Sequence, residues 1–320
     1  MNFYIKRLKR IILLCLTAIL ILSTLCSCGG TEDKGEAKTV CFTDALGREV
    51  EVATSPRRVA ALLGSFADIW TLAGGELCAA AEDAWEDFGL ELTAAIDIGG
   101  AHSPSLELLV ASDPELVLAS ASTASNVEMK DTLEQMGITV VYFDVDNFED
   151  YLYMLDICTD ITGRKDLYER NGTAIAERID QIKAEFKNAN IDESERRVLL
   201  LRASSGKVKA KGSEGTVLGE MLCDIGCINI ADSDTSLLET LSVESVIANE
   251  PRHIFVVTMG NDTEAARESL AKMMEENPAW GTLEAVEENR LHVMDKELFN
   301  LKPNARWAEA YEKLYETLVQ

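Results

Sequence analysis

The sequence predicts an α/β protein of two lobes joined by one long helix. Three observations carry this. Short apolar runs of strand length recur in both halves of the chain, each followed by a helical stretch. Helices between such runs indicate parallel strands. Between the halves, residues 165–188 form a polar stretch with no strand signal, in which Ile175, Ile179, Ile182 and Phe186 recur at spacings of 4, 3 and 4, one stripe of a helix.

The elements follow in order. Arg58 to Leu63 reads as a buried strand that ends at Gly64-Ser65. Phe66 to Leu72 is a short helix closed by Gly74-Gly75. Leu116 to Ala119 is the next strand, Met129 to Met136 a helix stopped by Gly137, and Ile138 to Phe143 a third strand. Phe148 to Thr162 is a helix that Gly163 punctuates. The polar stretch after it, at roughly 1.5 Å per residue, makes a rod of about 35 Å, long enough to span two lobes. Alternation then resumes with strands at 197–201, 254–257 and 290–294 and helices at 217–225, 263–276 and 305–318. The expected division is 40–163 for the first lobe, 164–189 for the joining helix and 190–320 for the second lobe.

Charge is the outlier of the composition. The 320 residues carry 30 Lys and Arg against 55 Asp and Glu, a net charge of −25. Residues 1–27 hold four of the basic residues and no acid, so the remainder stands at −29. Such a chain repels phosphate backbones, which argues against nucleic acid as a partner. Three histidines argue against a His-built metal site, and no metal site is expected.

The N-terminus reads as a targeting segment. Lys6 to Arg10 is a basic stretch, and the apolar run Ile11 to Leu22 is short for a membrane span but suits a secretory signal. Leu25-Cys26-Ser27-Cys28 resembles a bacterial lipobox, with Cys28 as the lipidated residue. Residues 1–27 are thus the expected signal and 28–39, polar and small, a flexible tether. An uncleaved anchor helix is the alternative, and either places the bulk of the chain outside the cell. The remaining Cys41, Cys78, Cys158, Cys223 and Cys227 are odd in number and irregularly spaced, and read as small buried hydrophobes.

Several segments, in order, resemble the class III substrate-binding proteins of ABC importers, the helical-backbone receptors for ferric siderophores, haem and cobalamin. They are Phe42 to Arg48 with Pro56 to Val59, Gly99-Gly100, Pro104-Ser-Leu-Glu107, Ser112 to Val117, Leu133 to Val141, Gly215 to Ile230, Leu241-Ser-Val-Glu244 and Asn277 to Gly281. The resemblance covers essentially the whole chain after the lipobox. It implies two Rossmann-like lobes on a rigid helix with a ligand cleft between them, and little hinge motion. It also implies that Glu107 and Glu244, one per lobe, dock onto arginines of an ABC permease dimer served by its ATPase. An exposed glutamate favoured at a helix start is the other reading of each.

Ligands of open α/β sheets bind beyond the carboxyl ends of the strands. That rule places Ser65, Phe66, Asp83 to Trp85, Ala101 to Ser103 and Ser120 to Ser125 on one wall of the cleft. It places Arg202 to Ser205, Thr258 to Asn261 and Lys296 to Asn300 on the other. Residues 198–213 contain Arg202, Lys207, Lys209 and Lys211 and no acid. This window, with Lys302 and Arg306, reads either as a cationic wall for an anionic ligand or as a solvated hairpin with outward lysines. His102 is a ligand to haem iron, a hydrogen-bond partner of the ligand or a surface residue. Trp85 suits a stacking platform. Met259 is either a wall residue or packing. His253 and His292 begin strands and are expected to be structural.

The expected function is a monomeric receptor, anchored to the cell membrane by its N-terminal lipid, that binds a small metal chelate and hands it to the permease. Ferric siderophore ranks first, then cobalamin, then haem. No intrinsic cofactor is expected. No Ser/His/Asp order, phosphate loop or paired metal-ligand motif stands out, so no enzymatic role is assigned. The competing reading is a membrane-tethered ligand sensor, or a redox component on a chelatase-like fold, not coupled to transport.

Overall fold

The computed structural model describes residues 38–260 and 262–319. The expected signal, the lipobox with Cys28, residues 28–37 of the tether, and Asn261 lie outside them. No helix among the described residues is long and apolar enough to cross a membrane.

A hairpin of β1 (Thr39–Thr43) and β2 (Glu49–Ala53) opens the fold, an element the sequence pattern had not signalled. Five parallel strands follow: β3 (Val59–Ala61), β4 (Ala79–Ala80), β5 (Ile96–Asp97), β6 (Leu116–Ser120) and β7 (Thr139–Phe143). Their order in the sheet is β5-β4-β3-β6-β7. The second sheet holds β8 (Arg197–Ser204), β9 (Lys207–Lys211), β10 (Ile228–Asn229), β11 (His253–Thr258) and β12 (Leu291–Val293), ordered β10-β8-β11-β12. Strand β9 folds back antiparallel on β8. β3, β6 and β11 are buried at every position, as strands covered on both faces must be.

The two parallel paths share one topology. In each, the chain moves outward from its first central strand, then returns to the other side. The direction reverses between β3 and β6 in the first sheet and between β8 and β11 in the second. Such reversals open a crevice at the carboxyl ends of the strands.

Helix α1 (Gly64–Leu72) follows β3. Its indole Trp70 donates to the Glu76 carbonyl at 3.0 Å, and the ring lies so close that a Cβ on Gly75 would sit 2.1 Å from it. Only glycine fits there. Next come the single turn α2 (Asp83–Glu86), α3 (Leu106–Ala111) and α4 (Phe148–Thr162). A reciprocal cap between Asn147 and Asp150 starts α4, and left-handed Gly163 (φ 74°) ends it.

The rod then begins. Residues Lys165–Tyr168 are α-helical, Glu169–Thr173 form a π-helical turn, and α5 (Ala174–Asn188) completes it. The π turn sits where the rod is tied to the first lobe. Asn171 donates to the Leu72 carbonyl at 2.9 Å, and Tyr151 donates to the Asn171 carbonyl at 2.8 Å. All four residues of the expected stripe are buried.

Helices α6 (Val217–Ile225), α7 (Val243–Asn249), α8 (Lys296–Phe299) and α9 (Trp307–Val319) belong to the second half. Helix α9 returns along the rod. Phe186 and Tyr315 meet edge-on at 6.4 Å, and Arg178 pairs with Glu312 at 2.6 Å. One continuous apolar cluster takes in Phe66, Leu118 and Phe143 of the first lobe, the rod stripe, Leu200, Leu222 and Phe255 of the second lobe, and Trp307 and Leu314 of α9. The outer layers of the lobes have clusters of their own.

The five described cysteines are free. Cys158 and Cys227 are buried, but Cys41 and Cys223 are exposed, which corrects the expectation of five core residues. Cys41 alternates outward on the edge hairpin, and Cys223 lies on the solvent side of α6.

Candidate functional site

The strand ends of the two lobes face a cavity of about 420 Å3. Its first-lobe side is built from the loop after β3, the α2 turn and the loop after β5. Gly64 makes the first two fit: a Cβ there would meet the Ala84 nitrogen at 2.6 Å. The α2 turn thereby packs directly on α1. It sends Glu82, Asp83, Glu86 and Asp87 to the cavity, while Ala84 and Trp85 pack toward the core. From the loop after β5 come Gly100, Ala101, His102 and Ser103. The second-lobe side consists of Met259, Gly260, Lys296, Asn300, Leu301 and Lys302.

The electrostatics are uneven. Burial raises the Asp83 carboxyl, and the nearby Gly64 amide and His102 oppose the rise. Its Oδ1 is buried without a partner. Burial lowers Lys302, and the charges of Asp146, Asp144 and Asp150 oppose that shift. Lys296 crosses to the first lobe and pairs with Asp87 at 2.9 Å.

Next to the cavity the lobes are also joined by Asn304, which is fully buried. Its amide donates to the Ser65 carbonyl at 3.0 Å and to Asp68 Oδ2 at 2.8 Å. Asp68 is raised by burial, and this hydrogen bond works against the rise.

Of the residues expected in the cleft, the structure brings together Ser65, Asp83, Ala101 to Ser103, Met259, Gly260, Lys296 and Asn300. His102 is exposed to the cavity, and Met259 is 46% exposed. Others are placed elsewhere. Phe66 is 0% exposed and packs edge-on against Phe143 at 6.3 Å, in the core and not on the wall. The strand-end rule locates the loop correctly, but the third helical position of α1 points inward. Trp85 is half-buried against the core, for the geometry of α2 just given. Arg306 is committed to Glu297 at 2.9 Å and Glu309 at 2.8 Å, away from the cavity.

The basic window divides. Arg202 is half-buried on β8, lowered by burial and partly restored by Asp146, and its Nε is buried without a partner. Ala210 of β9 is buried while Lys207 and Lys209 alternate to the opposite face and are exposed. Lys209 and Lys211 line a second depression, of about 700 Å3, with Gly212 to Thr216 and Asp232. The window is thus a hairpin, as one of the two readings had it. The cations on the cavity itself are Lys296 and Lys302. Glu82, Glu86 and Asp87 were not anticipated, although the acidic run directly after β4 was the signal for them.

Glu107 and Glu244 are exposed, each in the first turn of its helix, α3 and α7. Ser105 and Ser242 cap these helices, each accepting at 3.3 Å from the amide three residues on. Hydrogen bonds from its own amide and from Ser242 lower the Glu244 carboxyl. His253 and His292 lie apart from the cavity. They stack across β11 and β12 with Nδ1 of His253 3.1 Å from Nε2 of His292.

Residues 59–298 match the model of the periplasmic binding protein family. The chain belongs to this family. Among its relatives is the uncharacterized ABC transporter substrate-binding lipoprotein YvrC of Bacillus subtilis, 22% identical over 305 residues, with 92% of each chain covered. Two solved structures share the fold. Staphylococcus aureus SirA complexed with staphyloferrin B superposes with a TM-score of 0.68 at 20% identity, covering 88% of this chain and 99% of that one. The periplasmic vitamin B12 binding protein BtuF of Vibrio cholerae gives 0.64 at 16% identity, covering 82% and 97%. The two-lobed α/β architecture of this family is the one described above.

Proposed function

We propose that this periplasmic binding protein is a lipid-anchored, extracytoplasmic receptor that captures a metal chelate in the interlobe cavity and delivers it to an ABC permease with its ATPase. A ferric siderophore is the first choice of cargo, and cobalamin and haem follow. The observation that carries the reading is an open cavity at the facing strand ends of two lobes, in a chain whose relative YvrC is named as a substrate-binding lipoprotein of an ABC transporter. SirA, bound to staphyloferrin B, supports the order of cargo. Its size suits a drug-sized organic ligand. Glu107 and Glu244 are the docking residues, and Cys28 carries the lipid.

His102 favours one second reading. An exposed imidazole on the cavity wall is a suitable axial ligand for haem iron.

Titration of the tryptophan fluorescence with ferric siderophores, cobalamin and haem tests both. A saturable response to a ferric siderophore supports the first reading. A Soret shift lost in His102→Ala moves haem ahead. Folded protein that answers none of them defeats the assignment.

A further inference from the structure

The cavity has walls of opposite sign. Glu82, Asp83, Glu86 and Asp87 line the first-lobe side, and Lys296 and Lys302 the second-lobe side. An anionic group entering it is repelled by four carboxylates and drawn to two ammonium groups, so it settles against the second lobe.

The two lysines are held differently. Among the described residues the Lys302 ammonium forms no hydrogen bond or ion pair, although Asp144, Asp146 and Asp150 act on it from a distance. Lys296 is engaged: its Nζ lies 2.9 Å from Asp87 Oδ1. Among the described residues this is the one ion pair that joins the first lobe to the second. The side chains are 20% and 28% exposed, so solvent and salt screen the pair less than they would at an open surface. Both partners also line the cavity, so whatever fills it meets the pair. Lys296 begins α8, whose cap is fixed by Asp295 accepting from the Glu297 amide at 2.9 Å. The backbone is held, and the four-carbon stem is free to turn.

We propose that Asp87 is an internal competitor for Lys296, holding its ammonium in the empty cavity and yielding it to an anionic group of the cargo. This rests on the receptor reading above and narrows the cargo to chelates with an anionic edge, oriented toward the second lobe. One ion pair replaces another, and no covalent bond changes. A neutral chelate cannot displace Asp87 and leaves the pair closed.

The test uses the full-length chain in detergent, with D87N, K296Q, D87N/K296Q and K296R. The probes are ferric citrate and a ferric tricatecholate as anions and a ferric trihydroxamate without ionised groups as the neutral control. Affinity is read by titration, and folding by circular dichroism and melting. D87N is expected to bind the anionic probes roughly three- to ten-fold tighter and K296Q roughly ten-fold weaker. The double variant should stay within about two-fold of K296Q, because Asp87 acts chiefly through Lys296 and its own solvent-screened repulsion of the anion is a small contribution. K296R should stay close to wild type, and the neutral probe should be indifferent to all four.

D87N weakening binding as K296Q does would make the pair a simple strap and overturn the proposal. So would equal responses to neutral and anionic probes, or no response to D87N. Wild type that binds only the neutral chelate keeps the receptor and sinks this inference. Folded wild type that binds no probe sinks both.

Discussion

Glu107 and Glu244 occupy equivalent places in the two lobes. Each stands in the first turn of the helix that leads into the strand beyond the reversal, β6 in one case and β11 in the other, behind a serine cap of the same geometry. A receptor whose two lobes share a topology thus carries one exposed carboxylate per lobe at matching positions.

Replacing both, as Glu107→Ala with Glu244→Ala, is expected to abolish uptake of the cargo by cells and leave its affinity for purified protein unchanged. Each single change should give a partial loss. Weakened binding in the titration would place these carboxylates in ligand recognition instead.

Phe66 and His102 separate core from cavity. Phe66→Ala removes a fully buried ring and should cost about 3–5 kcal/mol of stability, read from urea unfolding. His102→Ala removes an exposed side chain and should change stability by less than about 0.5 kcal/mol. A stable Phe66→Ala protein with altered affinity would return Phe66 to the wall.

The rod stripe predicts cooperative unfolding. Ile182→Ala should cost about 2–5 kcal/mol. Because Ile182 belongs to the cluster shared by both lobes, hydrogen exchange in β6 and β11 should accelerate together. Acceleration in one sheet alone would mean that the lobes unfold independently.

Acid should loosen the second lobe through His253. Burial, then the charges of His292 and Arg290, hold this imidazole down at about 4, with Glu195 opposing and Arg252 adding to the effect. The folded form therefore favours the neutral ring. The unfolded chain binds more protons between about pH 4 and 6.5, so this contribution is complete above pH 6.5 and declines as pH falls toward 4. The loss is of order 2–3 kcal/mol, and His253→Gln should flatten it. Melting curves at pH 7.5, 5.5 and 4.5 for both proteins decide the point; parallel losses would assign acid sensitivity elsewhere.

Much of the fold was legible because its signals are local. The spacing of Ile175, Ile179, Ile182 and Phe186 marks the rod face, and capping chemistry at Asn147, Thr216 and Asp262 fixes helix starts that the sequence places well. The π turn was not legible, since it depends on Asn171 meeting Leu72 across 99 positions. The site was legible as a set of loops but not as a set of side chains. Strand order says where a loop emerges; which way Phe66 or Trp85 turns is decided by helix phase and packing. The pairing of Asp87 with Lys296, 209 residues apart, exists only after both lobes have formed.

The shared core has a mechanical meaning. To widen the cavity by bending at the rod, Ile179, Ile182 and Trp307 would have to part from their neighbours, and exposed apolar area costs roughly 25 cal/mol per Å2. On the proposed function, the molecule is expected to work as a caliper close to one setting: cargo is measured against a nearly fixed gap, and an occupied receptor would differ for its permease in charge at the rim more than in outline.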